Sequence, residues 1–172
     1  MNLLITDDDP LIRKSLEITL SREDGITVAA TAADGAEAVD LCKNMEIDAV
    51  LMDIRMPGMD GVAATRLIKS RYPHIRIMML TTFDDGPNIR QALSAGADGY
   101  LLKTDKISGI AKALHTMMDG TSVLDTDVLR KLAPQTNPAL ESLTGREQDI
   151  ARLVAIKVTI KLGAKFTHLL CP

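Results

Sequence analysis

Five short apolar runs divide the first 102 residues, and their spacing constrains the fold more than any other feature of the chain. Leu3–Thr6, Ile26–Ala30, Ala49–Met52, Ile77–Leu80 and Gly99–Leu102 are set off by Asp, Gly or Pro, and each is short enough for a fully buried strand. The intervals carry helical spacing instead. Ile12/Leu16/Leu20, Ala38/Leu41/Cys42/Met45, Ala64/Leu67/Ile68, Ile89/Ala92/Leu93 and Ile107/Ile110/Leu114/Met117 each predict one apolar helix face. Asp9 followed by Pro10 predicts a helix start, with an N-cap and a proline at the first helical position. A strand–helix unit repeated five times in about 120 residues implies parallel pairing through right-handed crossovers. The expected fold is a doubly wound α/β sandwich around a five-stranded parallel sheet, in the flavodoxin-like order 2-1-3-4-5 by analogy.

Such sheets bind ligands beyond the carboxyl ends of their strands, where the strand order reverses. Asp7 and Asp8 follow the first predicted strand, Asp53 the third, Thr81 the fourth and Lys103 the fifth. Taken singly these are ordinary: spare helix caps, a strand-end hydroxyl, a solvated charge. Together they aim polar groups from four strands at one place. Carboxylates gathered there repel by roughly 4 kcal/mol per pair at 4 Å and an effective dielectric near 20. A divalent cation removes that repulsion, and Mg²⁺ suits hard oxygen ligands with no thiolate or imidazole beside them. A carboxylate beside Mg²⁺ can attack a phosphoryl group. Asp53 is the expected nucleophile, because it ends the buried run "AVLMD" and precedes the Pro/Gly loop "IRMPGMDG". Lys103 would neutralise developing charge, and the Thr81 hydroxyl would donate to a phosphoryl oxygen.

The set "ITDDDP", "VLMDIRMPGMDG", "MMLTTFDD" and "AGADGYLLK" resembles the receiver domain of bacterial two-component response regulators of the NarL/FixJ type, over about residues 1–120. The resemblance implies that Asp53 accepts phosphate from a sensor histidine kinase. It implies Mg²⁺ held by Asp8, Asp53 and the backbone carbonyl of Arg55, with Asp7 contributing through water. Asp9 stands where such proteins often have His and is expected to act as a cap only; Thr104 stands where many have Pro, so no obligatory cis peptide is expected there. Thr81 and Tyr100 are implied as the switch. The hydroxyl moves toward the phosphoryl group and Tyr100 rotates into the vacated space, repacking helix 4, strand 5 and helix 5 over roughly Gly86–Met118. A plain structural alternative for Tyr100 is a half-buried strand aromatic with its hydroxyl in water. Catalysis by the chain itself is limited in this reading to self-phosphorylation and self-dephosphorylation at Asp53.

The remainder reads differently. Residues 1–120 carry 13 Lys/Arg against 18 Asp/Glu, and residues 121–172 carry 7 against 5, so an acidic body precedes a slightly basic tail. Residues 121–140 mix a short helical piece near Asp127–Leu132 with two prolines and read as a linker. "LTGREQDIARLVA" then pairs Thr144 with Glu147 as a capping box, and it resembles the first helix of a LuxR-type helix-turn-helix. Ile156, Val158, Ile160 and Leu162 alternate in strand fashion, so residues 141–172 are expected to be a truncated or frame-shifted remnant. Lys157, Lys161 and Lys165 are expected to form a charged tail, with promoter DNA the partner of full-length relatives and not of this chain. Receiver pairing into a homodimer on phosphorylation is also expected.

Other features exclude rather than assign. Cys42 and Cys171 have no CxxC spacing, and His74 and His115 no metal spacing, so neither a disulfide nor a zinc site is expected. No run is long enough to span a membrane, and "MNLLI" is too short for a secretory signal, which leaves a cytoplasmic address. Asp7-x-Asp9 also resembles the haloacid-dehalogenase-type phosphatases, with Asp7 as nucleophile and Asp9 as acid. That reading lacks a late acidic pair and gives Asp53 no task. A stand-alone receiver acting through protein contacts is the other alternative.

Overall fold

A computed structural model describes residues 1–82, 86–103, 107–124 and 128. The elements are β1 (Asn2–Thr6), α1 (Pro10–Leu20), β2 (Thr27–Ala32), α2 (Gly35–Asn44), β3 (Ala49–Met52), α3 (Gly61–Arg71), β4 (Arg76–Thr81), α4 (Gly86–Ser94), β5 (Gly99–Leu102), α5 (Ile107–Met118) and β6 (Val123–Leu124). They form one six-stranded sheet ordered β2-β1-β3-β4-β5-β6, with every pair parallel. The expected order is present, but the strand count is six and not five. A two-residue strand has no period to read. It forms because Gly99 lacks a side chain: a Cβ there would lie 2.9 Å from the Val123 carbonyl oxygen and 2.5 Å from the Met78 sulfur. The sheet therefore runs to Leu124, into the segment read as linker, and Val128 is fully buried in the core. The rest of that linker, Thr104, the capping box at Thr144 and Glu147 and the tail lysines lie outside the described residues.

Both sheet faces are covered, so successive residues of β1, β3, β4 and β5 enter opposite cores. Leu4, Val50, Met52, Ile77, Met79 and Tyr100 pack with Ala38 and Cys42 of α2, Ala64 and Ile68 of α3, and Ile89 and Ala92 of α4. Leu3, Ile5, Leu51, Met78, Leu80 and Leu101 pack with Leu16 and Leu20 of α1 and Ile110, Leu114 and Met117 of α5. Each Val, Leu, Ile or Met side chain among them contributes about 1.5–3 kcal/mol when fully buried. Met45 departs from its expected helical face. It caps the carboxyl end of α2 in extended conformation (φ −133°) and is 40% exposed.

Three helices begin the same way at the carboxyl edge of the sheet. Asp9 accepts from the amides of Leu11 and Ile12 with Pro10 next in line, as expected; Asp34 accepts from Ala36 and Glu37, and Asp60 from Ala63. At the opposite edge, Asp98 holds β4 to β5 and α3 through Lys69 Nζ (2.6 Å), Arg76 Nη1 (2.8 Å) and the Ile77 amide (2.8 Å).

One polar atom in this core is out of place. Among the described residues, the Thr6 hydroxyl is buried without a hydrogen-bond partner. An unsatisfied buried hydroxyl costs about 1–3 kcal/mol. Thr6→Val, which keeps the shape, is therefore expected to stabilise the protein by about 1 kcal/mol in urea denaturation; a destabilised variant would contradict this.

Candidate functional site: an acidic pocket closed by a lysine

The β1, β3 and β5 ends converge. Asp53 continues β3 by donating its amide to the Thr6 carbonyl at 2.9 Å, which carries its side chain to the edge beside the β1–α1 turn. Its Oδ1 accepts from the Ile54 amide at 2.7 Å and its Oδ2 from Lys103 Nζ at 2.8 Å. Lys103 Nζ also lies 2.6 Å from Asp7 Oδ2, so one ammonium bridges two carboxylates. Asp7 is 1% exposed and Asp53 7%, whereas Asp8 is exposed at the rim. One carboxylate oxygen from each of Asp7, Asp8 and Asp53 lies within 4.8 Å of the other two. At that separation an ionised pair repels by about 3.5 kcal/mol at an effective dielectric of 20. These are hard oxygens with no sulfur or imidazole among them, and the set fits Mg²⁺.

The charge balance of the pocket shifts two of its groups. Burial pushes the Asp7 carboxyl above its usual range, against the opposing pull of Lys103 and the Asp9 amide. Burial pulls the Lys103 ammonium down, but hydrogen bonds and charge from Asp53 and Asp7 outweigh it and hold its pKa above the ordinary lysine value. Away from the pocket, burial raises the Cys42 thiol to about 11, so it stays protonated and inert.

The remaining predicted residues have definite places. Thr81 ends β4 fully buried, and its carbonyl accepts the Lys103 amide at 2.8 Å. Tyr100 on β5 is 0% exposed within the α2–α4 core, which corrects the half-buried alternative. Arg55 is exposed and shares with Asp8 a cleft of about 430 Å³ whose far wall includes Asn88 and Gln91 of α4. Asp9 is engaged as a helix cap, which disfavours its use as the acid of a phosphatase. His115 meets the Asp24 carbonyl at 3.1 Å, far in sequence and function from the pocket.

Three residues at the site have no sequence signal: Arg13, whose guanidinium donates to the Asp7 carbonyl, and Asn88 and Gln91. Gly61 is a fourth, hidden inside a loop that is glycine-rich in any case. A Cβ there would fall 1.9 Å from the Asp53 carbonyl oxygen.

The family model for the response regulator receiver domain matches residues 3–115. The chain belongs to the response regulator receiver family. It is 42% identical over 132 residues to the transcriptional regulatory protein LnrK of Bacillus subtilis, covering 77% of this chain and 60% of LnrK. It is 36% identical over 158 residues to the response regulator protein VraR of Staphylococcus aureus, covering 90% and 76% respectively. A LuxR-family two-component response regulator from Aurantimonas superposes with a TM-score of 0.72 at 29% identity, over 76% of this chain and 94% of that one. The chain thus spans about 60% of the length of LnrK. The receiver fold and a place in two-component signalling follow from these matches, and the phosphatase alternative is not favoured. Receivers generally bind Mg²⁺ at an acidic pocket of this kind and are typically not enzymes in the ordinary sense. Among the described residues no helix is long and apolar enough to cross a membrane.

Proposed function

We propose that this receiver takes a phosphoryl group onto Asp53 from a histidine of a sensor kinase. The observation that carries the proposal is the Lys103 ammonium, which bridges Asp53 and Asp7 at 2.8 and 2.6 Å beside a third carboxylate. In the transfer, an Asp53 oxygen forms the new bond to phosphorus, the bond from phosphorus to the kinase's imidazole nitrogen breaks, and that nitrogen keeps the electron pair. The Ile54 amide fixes one Asp53 oxygen and Lys103 the other, which orients the carboxylate and limits its loss of freedom on reaction. Asp8, Asp53 and the Arg55 carbonyl would hold Mg²⁺, with Asp7 contributing through water, and the ion when bound supplies positive charge to the phosphoryl oxygens.

The product adds nearly two negative charges and three acceptor oxygens next to Lys103 and the end of β4. Thr81 and Tyr100 form the switch in this reading, Thr81 by donating to a phosphoryl oxygen and Tyr100 by repacking the α4–β5–α5 surface. Moving a population from 1:99 to 99:1 takes about 5.5 kcal/mol, within reach of a few charge-assisted hydrogen bonds. The output is regulation of transcription, with promoter DNA as partner of longer relatives and a receiver homodimer as the phosphorylated form. The division into a receiver over 1–120, a linker over 121–140 and, over 141–172, a remnant that resembles only the first helix of a helix-turn-helix belongs to the same proposal, as does a cytoplasmic address.

Incubation with acetyl phosphate and Mg²⁺ is expected to label the chain with one phosphoryl group, and Asp53→Asn to abolish labelling while Asp9→Asn retains it. Labelling that survives Asp53→Asn but fails in Asp7→Asn would restore the phosphatase reading.

A further inference from the structure

The β1–α1 turn carries an interaction that the acidic pocket does not by itself require. Arg13, half-buried in the first turn of α1, reaches back so that its guanidinium donates to the Asp7 backbone carbonyl. This completes the set on Asp7. Its amide donates to the Ala32 carbonyl at 3.1 Å, its Oδ1 accepts from the Asp9 amide at 3.0 Å, and its Oδ2 meets Lys103 at 2.6 Å. The Arg13 amide donates to the Asp9 carbonyl at 3.0 Å, which fixes its backbone in the first turn of α1. Asp8 differs from Asp7 in being exposed, and the peptide that joins the two directs where its carboxylate points.

We propose that Arg13 is a positioning residue for the cation site. By holding the Asp7 carbonyl it locks the plane of the Asp7–Asp8 peptide, and so aims the Asp8 carboxylate at the space shared with Asp7 and Asp53. The proposal rests on the reading of this pocket as a Mg²⁺ site. Charge alone works the other way: a guanidinium beside a cation site repels the cation, so an arginine acting only through its charge would weaken Mg²⁺ binding. The two effects have opposite signs, and one substitution separates them. Outer partners of metal ligands are commonly worth 10–100-fold in affinity.

The test is the Mg²⁺ dissociation constant of the full chain, measured by titration calorimetry for the parent protein, Arg13→Met and Asp53→Asn, alongside melting temperatures without Mg²⁺. Arg13→Met is expected to weaken Mg²⁺ binding on the order of tenfold while its Mg²⁺-free melting temperature stays close to that of the parent. Arg13→Ala serves in its place if the methionine variant does not fold. Unchanged or tighter binding in the Arg13 variant, with Asp53→Asn weakened, overturns the positioning role alone. Binding that Asp53→Asn leaves intact overturns the pocket reading and this inference with it.

Discussion

Lys103→Met is expected to destabilise the protein by about 3 kcal/mol at neutral pH, because removing one partner of a buried ion pair leaves the other uncompensated. Here two carboxylates are left facing each other, Asp7 at 1% and Asp53 at 7% exposure. The deficit should shrink in mild acid, and its sign follows from linkage. Asp7 already has a raised pKa through burial, so the folded state binds its proton more tightly than the unfolded chain, whose value is near 3.8. Between that ordinary value and the raised one, stability falls as pH rises. Deleting Lys103 removes the influences that lower Asp7, moving it further up and extending the window toward neutrality. Lys103 contributes in its own titration too, since a raised lysine stabilises fully below 10.5 and loses that contribution as pH climbs through the folded value. Urea denaturation of parent and variant at about pH 5 and pH 7, with and without Mg²⁺, reads the Asp7 effect. Mg²⁺ should restore part of the loss at neutral pH; a deficit equal at both pH values and indifferent to Mg²⁺ contradicts the argument.

A single methyl group at position 61 is expected to do comparable damage by a different route. Gly61 begins α3 directly against the end of β3, donating its amide to the Ile54 carbonyl at 2.9 Å. An alanine Cβ would lie 1.9 Å from the Asp53 carbonyl oxygen, 2.9 Å from its carbonyl carbon and 3.0 Å from Met52 Cγ. The first two are backbone atoms and cannot swing aside, so either α3 must retreat or the Asp53 peptide must turn. Overpacking of this kind costs about 3 kcal/mol, the upper end of the usual range. Gly58 in the same loop is the internal comparison: its φ is +74°, but a Cβ there would meet nothing within 4 Å. Gly58→Ala should therefore cost only the backbone strain, about 1–2 kcal/mol. If Gly61→Ala proves no less stable than Gly58→Ala in urea denaturation, close packing of α3 on Asp53 is not what that glycine provides.

Much of this architecture is legible in the chain because its signals are local and repeated. Apolar runs such as "AVLM" and "IMML" declare buried strands, Asp9-Pro10 declares a helix start, and the parallel crossover rule places Asp7, Asp8, Asp53 and Lys103 at one edge. What escapes is set by packing between distant segments. β6 has two residues and exists because Gly99 lets Val123 approach. Asp34 and Asp60 look like loop acids until their helices are in place. Arg13 reads as a surface charge on α1, since nothing local shows that its side chain doubles back to the Asp7 carbonyl. Tyr100 follows the same logic: strand alternation allows a half-buried ring, whereas coverage from α4 and the neighbouring strand buries it fully.

The central claim is that residue 53 carries an acyl phosphate, and borohydride reduction tests it most directly. An acyl phosphate is reduced at its carbonyl carbon, converting the aspartate that carried it to homoserine, while free carboxylates are spared. After treatment with acetyl phosphate and Mg²⁺ and then borohydride, peptide mapping should find homoserine at position 53 and aspartate at positions 7, 8 and 9. Homoserine at position 7, or at none of the four, contradicts the account.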